Sequence, residues 1–324
     1  MKVAINGLGR IGRLVLKIAL EKGVNVVAVN DLTPIENIVY LLKYDSVYGN
    51  YNKKVESGKG FLKINGKKIS VFAEPDPEKL PWKKLGIGVV VESTGVFVNE
   101  GYKHLKAGAK KVVISAPSKK CDATIVLGVN DNKLSKRNRI ISMASCTTNC
   151  LAPLTKVLND SFGIKKGFMT TIHAYTPNQN ILDSPHKKPR RGRAGAVNII
   201  PTTSGATSAT SEVIPELKGK IEGLAFRVPV ACGSVVDFVA ELKKSVTKQQ
   251  INNSLKKAAS GKMKGIITYS EDEIVSSDII GNPCSSIIDG LSTQILGNTI
   301  KILSWYDNES GYSHRMVELI KKLG

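Results

Sequence analysis

The stretch Ala144–Cys150, ASCTTNC, sets two thiols four residues apart with two threonines and an asparagine between them. A cysteine attacks only as its thiolate, so a catalytic one needs a group that takes its proton or stabilises the anion. Cys146 follows a strand-type run, RIISMAS (139–145), and the residues after it begin a helix. The partial positive charge of a helix N-terminus stabilises a thiolate placed there. Ser145, Thr147 and Thr148 are of the types that cap such a terminus or hold an anion beside it. Cys150 lies one turn deeper and reads as a packed, inert sulfur. The segment alone fits a capped helix start with two buried thiols equally well.

A proton acceptor separates the two readings. The chain has four histidines. His173, in MTTIHAYT, lies on an alternating strand pattern from which an imidazole reaches a cleft. His104 falls in a lysine-rich, surface-type helix, His186 in a loop, and His314 at the solvated start of the last helix. Cys146 with His173 is the candidate nucleophile–base pair.

A second chemical signature stands at the N-terminus. Gly7, Gly9 and Gly12 form G-x-G-x-x-G directly after the strand-type run KVAIN and at the start of a helical stripe, Ile11, Leu14, Val15, Ile18 and Ala19. Glycines at these positions permit a tight turn, close approach of a pyrophosphate and close helix–strand packing, while the helix N-terminus attracts the phosphates. The next strand, NVVAVND, ends on Asp31. Its carboxylate suits ribose hydroxyls and repels a 2′-phosphate, so the expected cofactor is NAD rather than NADP.

Strand, helix and strand within about thirty residues make a βαβ unit, which demands a parallel sheet. Further apolar runs at 88–94, 111–115, 124–130 and 139–145 extend it. After Cys150 the pattern changes to a helix closing at Gly163 and to alternating segments such as SVVDFVAEL and TIKILSWY, of antiparallel type. The expected fold is α/β: a Rossmann-type doubly wound parallel sheet plus an α+β catalytic domain with a mostly antiparallel sheet. The expected boundaries are 1–146 for the first domain, completed by the C-terminal helix 311–324, and 147–310 for the second. The stretch 176–200 is too rich in Pro, Gly and charge for regular structure, and long loops of that kind carry function.

Composition narrows the setting. The chain has 324 residues, enough for two cores, and 23% charged residues, which argues against disorder. No apolar run approaches the roughly 18 residues that span a bilayer, and glycine arrives too early for a signal peptide. Five cysteines without scaffold spacing point to a reducing compartment, hence the cytoplasm. The formal charge is +20, and residues 101–200 alone carry 18 Lys and Arg against 4 Asp and Glu. A basic middle of this kind serves nucleic acid, a membrane surface or a small anionic substrate. The basic stretches lack interleaved aromatics, which argues against a single-strand stacking platform.

INGLGRIGR, ASCTTNC, TTIHAYT, RVPV, SVVDF and SWYDNESGYSHR together resemble phosphorylating glyceraldehyde-3-phosphate dehydrogenases, from Lys2 to the C-terminal helix. The resemblance implies reversible oxidation of glyceraldehyde 3-phosphate to 1,3-bisphosphoglycerate with NAD and inorganic phosphate. It makes Cys146 the nucleophile, through a thiohemiacetal and a thioester, and His173 its activating partner. It assigns Arg10, Ile11, Thr94 and Ser115 to the cofactor cleft, with Asn308 on the nicotinamide carboxamide and Tyr312 packed nearby. Thr176 and Arg227 resemble the ligands of the substrate phosphate, Arg193 a residue between two anion sites, and Ser145, Thr147, Ser204 and Gly205 the inorganic phosphate pocket. It also implies a homotetramer, with the KKPRRGR segment at its centre.

Three positions depart from the family pattern: Ser204 for threonine, Ser184 for leucine, and Pro75 for arginine. The last two open dual NAD/NADP use, against which Asp31 stands. Thr176 argues against the sister activity on erythrose 4-phosphate. A Cys–His hydrolase would have no use for the glycine loop. A nucleic-acid role for the basic residues is at most secondary, since no recognition-helix or RNA-binding signature accompanies them.

Overall fold

The computed structural model describes residues 1–324. The chain divides into two compact units, residues 1–125, 132–144 and 313–324 in the first, and 126–131 with 145–312 in the second.

The first unit is built on a nine-stranded sheet. Its strands are β1 (Lys2–Asn6), β2 (Asn25–Asn30), β3 (Val55–Gly58), β4 (Phe61–Ile64), β5 (Lys67–Phe72), β6 (Val89–Glu92), β7 (Lys111–Ile114), β8 (Ala123–Thr124) and β9 (Ile140–Ser142), in the order β3-β4-β5-β2-β1-β6-β7-β9-β8. From β5 to β8 every pair is parallel, and β3, β4 and β5 pair antiparallel at one edge. The continuous apolar runs of β1 and β6 are buried along their length apart from Lys2, as strands covered on both faces require. Helix α1 (Arg10–Glu21) buries the stripe Leu14, Val15, Ile18 and Ala19 against this sheet. The order β2-β1-β6 places the strand reversal beside β1, where a doubly wound sheet opens a crevice at its carboxyl ends.

One expected strand is shorter than the sequence pattern implies. Of TIVLGVN (124–130) only Thr124 joins the sheet, in the two-residue β8 with Ala123. Beyond it Asn130 Oδ1 accepts from Val126 N at 2.8 Å and Asp131 Oδ1 from Gly128 N at 2.9 Å, closing a turn through side chains. Gly128 adopts φ +80°, and this turn belongs to the second unit, where Gly128 lies against Ile266 and Met263. Local hydrogen bonding to Asn and Asp outcompetes the ladder.

The second unit holds a seven-stranded sheet. Its strands are β10 (Ile164–Ala174), β11 (Ile200–Thr203), β12 (Ile221–Val228), β13 (Ser234–Leu242), β14 (Ile267–Ser270), β15 (Ser286–Leu296) and β16 (Thr299–Tyr306), ordered β11-β12-β10-β13-β16-β15-β14. It is mostly antiparallel, with parallel pairs at β10–β12 and β14–β15. Helix α5 (Cys146–Phe162) packs across its central strands and ends at Gly163, φ +71°. The loop from Thr176 carries one short turn, Pro189–Gly192, and is otherwise irregular up to β11.

Candidate active site

In the first unit, the glycine loop folds as its composition requires. Gly7 has φ +90°, and a Cβ there would stand 2.7 Å from Thr94 N. A Cβ on Gly12 would collide with Gly7 O, whereas one on Gly9 would project into open space. Gly9 caps α1 with no side-chain hydrogen bond of its own. Leu8 N donates to Asp31 Oδ2 at 2.6 Å and Thr33 N to Asp31 Oδ1 at 2.9 Å, which fixes the carboxylate at the end of β2. A cavity of about 450 Å³ opens here, with Gly7, Gly9, Asp31, Thr94 and Pro75 on its wall. An open cradle at Gly9, a helix end without a side-chain cap and an oriented carboxylate fit a dinucleotide.

Arg10, Ile11, Gly12 and Ser115 are not on that wall. Arg10 Nη1 instead pairs with Asp45 Oδ2 at 2.6 Å, and Ser115 N donates to Glu92 O at 2.9 Å. Sequence reasoning missed Asn6, Asn30 and Glu74, which do line the cavity. The signal was present: β1 and β2 both end on asparagine. It also misplaced His104, which is 0% exposed. Its ring is enclosed by Trp82 and Glu92, because a five-residue helix, α4 (Tyr102–Lys106), turns this one polar position inward.

In the second unit, Cys146 is the first residue of α5, and the Ser145 hydroxyl accepts from Thr148 N at 3.1 Å as its N-cap. Ala144, just before that cap, has φ +53°, a left-handed conformation that non-glycine residues adopt at constrained sites. Cys146 Sγ lies 3.4 Å from His173 Nε2. His173 Nδ1 lies 2.7 Å from Ala174 O, an acceptor, and 3.0 Å from Arg227 Nη1, a donor; a proton on Nδ1 toward the nearer carbonyl leaves Nε2 facing the thiol as acceptor. Tyr306 supports this arrangement: its hydroxyl bonds Thr147 Oγ1 at 2.9 Å and Thr171 Oγ1 at 2.8 Å, and its ring meets His173 edge-on at 5.9 Å. Cys150 is fully buried against Ser304 Oγ at 3.2 Å, and burial drives its thiol up to about 12, consistent with an inert sulfur.

Burial also pushes the Cys146 thiol up, against the pull of the Arg227 charge, Thr147 and the N-terminal amides of α5. His173 falls to about 3, first through burial and then through Arg227. Desolvation opposes both charges of a thiolate–imidazolium pair, while the Arg227 charge favours the thiolate. Cys146 itself keeps a partly exposed edge, so an incoming carbonyl reaches the sulfur.

Arg227, on β12, is paired in register with His173 on β10. Its Nη1 lies 3.0 Å from His173 Nδ1, 3.0 Å from Ala174 O and 3.3 Å from Thr176 Oγ1. Its buried Nε has no partner, and no carboxylate pairs with it. A half-buried cation in that state is suited to an anion. Arg193 is not gathered here: it is exposed and pairs with Asp183 Oδ2 at 2.8 Å. Arg191 lies nearer, with Nε on Thr202 Oγ1 at 2.9 Å and a charge felt by both His173 and Arg227. Two arginines two residues apart point to opposite sides of an extended turn, which spacing alone does not resolve.

The remaining expected anion ligands are divided. Ser204 borders a hydroxyl-lined cavity of about 560 Å³, next to Gly205 at the N-cap of α6 (Ala206–Val213). Thr147 turns its hydroxyl to Tyr306 and Ser145 turns its own to Thr148, so each is already engaged. Asn308 is buried, and its Oδ1 accepts from Gly233 N at 3.2 Å and Ser234 Oγ at 3.0 Å. These bonds distinguish the amide oxygen from its NH₂, which remains a donor. Tyr312 is buried nearby in sequence, with its hydroxyl held well above its ordinary pKa by burial.

A dinucleotide fingerprint on a doubly wound sheet, and a thiol–imidazole pair beside an unpaired arginine, are features of pyridine-nucleotide dehydrogenases that work through cysteine. Comparison with known sequences agrees. Residues 1–100 match the glyceraldehyde 3-phosphate dehydrogenase NAD binding domain and residues 145–308 the C-terminal domain of the same family. The glyceraldehyde-3-phosphate dehydrogenase of Borreliella burgdorferi is 57% identical over 100% of this chain and 99% of its own length. Those of Geobacillus stearothermophilus and Bacillus subtilis (the latter's enzyme 1) are each 56% identical, over 98% of this chain and 97% of theirs. The chain belongs to the glyceraldehyde 3-phosphate dehydrogenase family, and it is an NAD-dependent oxidoreductase.

Proposed function

We propose that this chain catalyses the reversible conversion of glyceraldehyde 3-phosphate, NAD and inorganic phosphate into 1,3-bisphosphoglycerate, with Cys146 as nucleophile and His173 as base. The carrying observation is the 3.4 Å pair Cys146 Sγ–His173 Nε2 with the unpaired Arg227 charge next to it. As sulfur attacks the aldehyde carbon, its proton passes to His173 Nε2. The imidazolium so formed donates to the new oxyanion, giving a thiohemiacetal. Bound NAD supplies the hydride acceptor for the oxidation. His173 takes the hydroxyl proton in that step, and the carbon remains on Cys146 as a thioester. Inorganic phosphate then attacks the thioester and releases the acyl phosphate, and the sulfur regains its proton from His173. A serine would leave an ester, a poorer acyl donor.

Arg227 and Thr176 bind the substrate phosphate, which gives the half-buried guanidinium its missing anion. Arg191 adds charge to the same region. Ser204 and Gly205 at the start of α6, with the backbone around Ser145 and Thr147, take inorganic phosphate. Asn308 orients the nicotinamide. Thr176 supports glyceraldehyde 3-phosphate over erythrose 4-phosphate. The protein works in the cytoplasm as a homotetramer. Support for assembly comes from the apolar residues exposed along the 176–200 loop, Ile181, Leu182, Val197 and Ile199, which a partner copy would cover. No helix is long and apolar enough to cross a membrane. Small anions account for the basic middle, and nucleic acid is at most a secondary, salt-sensitive ligand.

The test is absorbance at the NADH band with glyceraldehyde 3-phosphate and NAD, with and without phosphate. Phosphate-dependent turnover is expected, and Cys146→Ser should lower it at least about a thousandfold while NAD still binds. Robust turnover by that variant would remove the nucleophile assignment.

A further inference from the structure

A polar chain lies buried beneath the dinucleotide cavity of the first unit, and the reaction described above does not use it. Glu92, the last residue of β6, is 1% exposed and has no lysine or arginine partner. Its Oε2 accepts from Asn6 Nδ2 at 2.6 Å and meets His104 Nε2 at 3.0 Å. Its Oε1 accepts from Thr94 N at 2.8 Å and from the Thr94 hydroxyl. Asn6 Oδ1 in turn accepts from Asn30 Nδ2 at 2.8 Å, and Asn30 Oδ1 from Glu74 N at 2.9 Å. Asn6, Asn30, Glu74 and Thr94 all line the cavity.

The other end of the chain is Trp82, whose Nε1 lies 3.0 Å from His104 Nδ1. An indole N–H only donates, so Nδ1 is the acceptor and Nε2 carries the proton that goes to Glu92. Trp82 thus selects the tautomer of His104, and His104 aims at one oxygen of Glu92. The other oxygen is left to hold both donors of Thr94. Because Glu92 and Asn30 are register partners of Asn6 on either side, the chain ties together the carboxyl ends of three neighbouring strands.

Stability does not call for these groups. The pocket around Trp82 is apolar, with Ala4, Leu80, Ile87 and Val90 packed about it. Apolar side chains replacing the buried polar set as a whole would avoid the desolvation cost of an imidazole and a carboxylate, whereas an apolar side chain at position 104 alone takes a partner from Trp82 Nε1 and from Glu92 Oε2. What an apolar replacement would lose is a fixed orientation for Glu92, and with it Thr94 and Asn6. We infer that His104, held by Trp82, is a positioning residue for the dinucleotide site, acting through Glu92 on Thr94 and Asn6. The inference rests on the reading of this cavity as the NAD site.

The experiment measures NAD dissociation constants for the full-length protein and its variants, alongside steady-state kinetics. His104→Leu should weaken NAD binding about tenfold, the loss of one or two oriented hydrogen bonds. At saturating NAD, kcat, the KM for glyceraldehyde 3-phosphate and the alkylation rate of Cys146 should stay within about twofold, since these belong to the second unit. His104→Gln, whose amide can accept from Trp82 and donate to Glu92, should recover most of the affinity. Should His104→Leu not fold, Trp82→Phe keeps the ring and removes the donor, and a severalfold loss of NAD affinity is expected. A folded His104→Leu or Trp82→Phe with unchanged NAD affinity overturns the inference. So does a loss shared equally by kcat and alkylation, which would mark general destabilisation. Asp31→Gly separates this from the underlying reading: if it too leaves NAD affinity untouched, the cavity is not the NAD site.

Discussion

The sulfur of Cys146 and the Nε2 nitrogen of His173 lie 3.4 Å apart, and the ring is turned so that Nδ1 meets the carbonyl of Ala174 at 2.7 Å. Ala174 O and Arg227 Nη1 both meet Nδ1, which leaves Nε2 toward the thiol. Burial opposes the charged form of both partners, and the Arg227 charge favours the thiolate.

That relationship predicts the pH dependence of thiol reactivity. The Cys146 thiol is raised from its ordinary value, so its alkylation by iodoacetamide in the free protein should keep climbing with pH through the ordinary thiol range near about 8.5. A plateau reached already near pH 6 would mean that a thiolate–imidazolium pair forms at rest.

The same burial makes His173 a determinant of acid stability. Its value is about 3 in the folded chain against an ordinary 6.5, so between those limits the unfolded chain binds the extra proton. The stability linked to the neutral ring is fully present above pH 6.5 and is lost as pH falls toward 3. Between pH 7 and pH 5 this amounts to roughly 2 kcal/mol. His173→Asn lacks the titration, and its melting temperature should fall less over that interval. Parallel losses in both proteins would contradict a buried neutral imidazole.

Arg227 sets stability against function. The half-buried guanidinium has no carboxylate, so Arg227→Met should raise the melting temperature of the free protein, by about 2–4 °C for each kcal/mol relieved. The same change should raise the KM for glyceraldehyde 3-phosphate at least about tenfold while leaving that for unphosphorylated glyceraldehyde nearly unchanged. Equal losses on both aldehydes would show that Arg227 does not read the phosphate.

Asp31 holds Leu8 N and Thr33 N and presents a negative charge at the end of β2. Asp31→Gly should shift the ratio of kcat/KM values from NAD toward NADP, by about tenfold or more. A ratio that stays put would move cofactor selectivity to Ser184 or Pro75.

Much of this was legible along the chain because its determinants are local. G-x-G-x-x-G after a strand, Asp31 at the end of the next, and the apolar stripe of α1 are short-range patterns whose spacing dictates their geometry. The N-terminal placement of Cys146 on α5 follows from the flanking residue types in the same way. The two-residue strand β8 escaped because Asn130 and Asp131 compete for backbone donors that apolar content alone assigns to a ladder.

What only the tertiary structure decided is who stands beside whom across long separations, and what water does there. Twenty-seven residues separate Cys146 from His173 and 54 separate His173 from Arg227, and the register of β10 with β12 brings the last two together. His104 and Glu92 look like ordinary polar residues until the sheet buries them. The protonation of the thiol depends on desolvation, a property of the packed environment and not of any motif. Periodicity and spacing encode backbone geometry; the energy of a charge depends on everything folded around it.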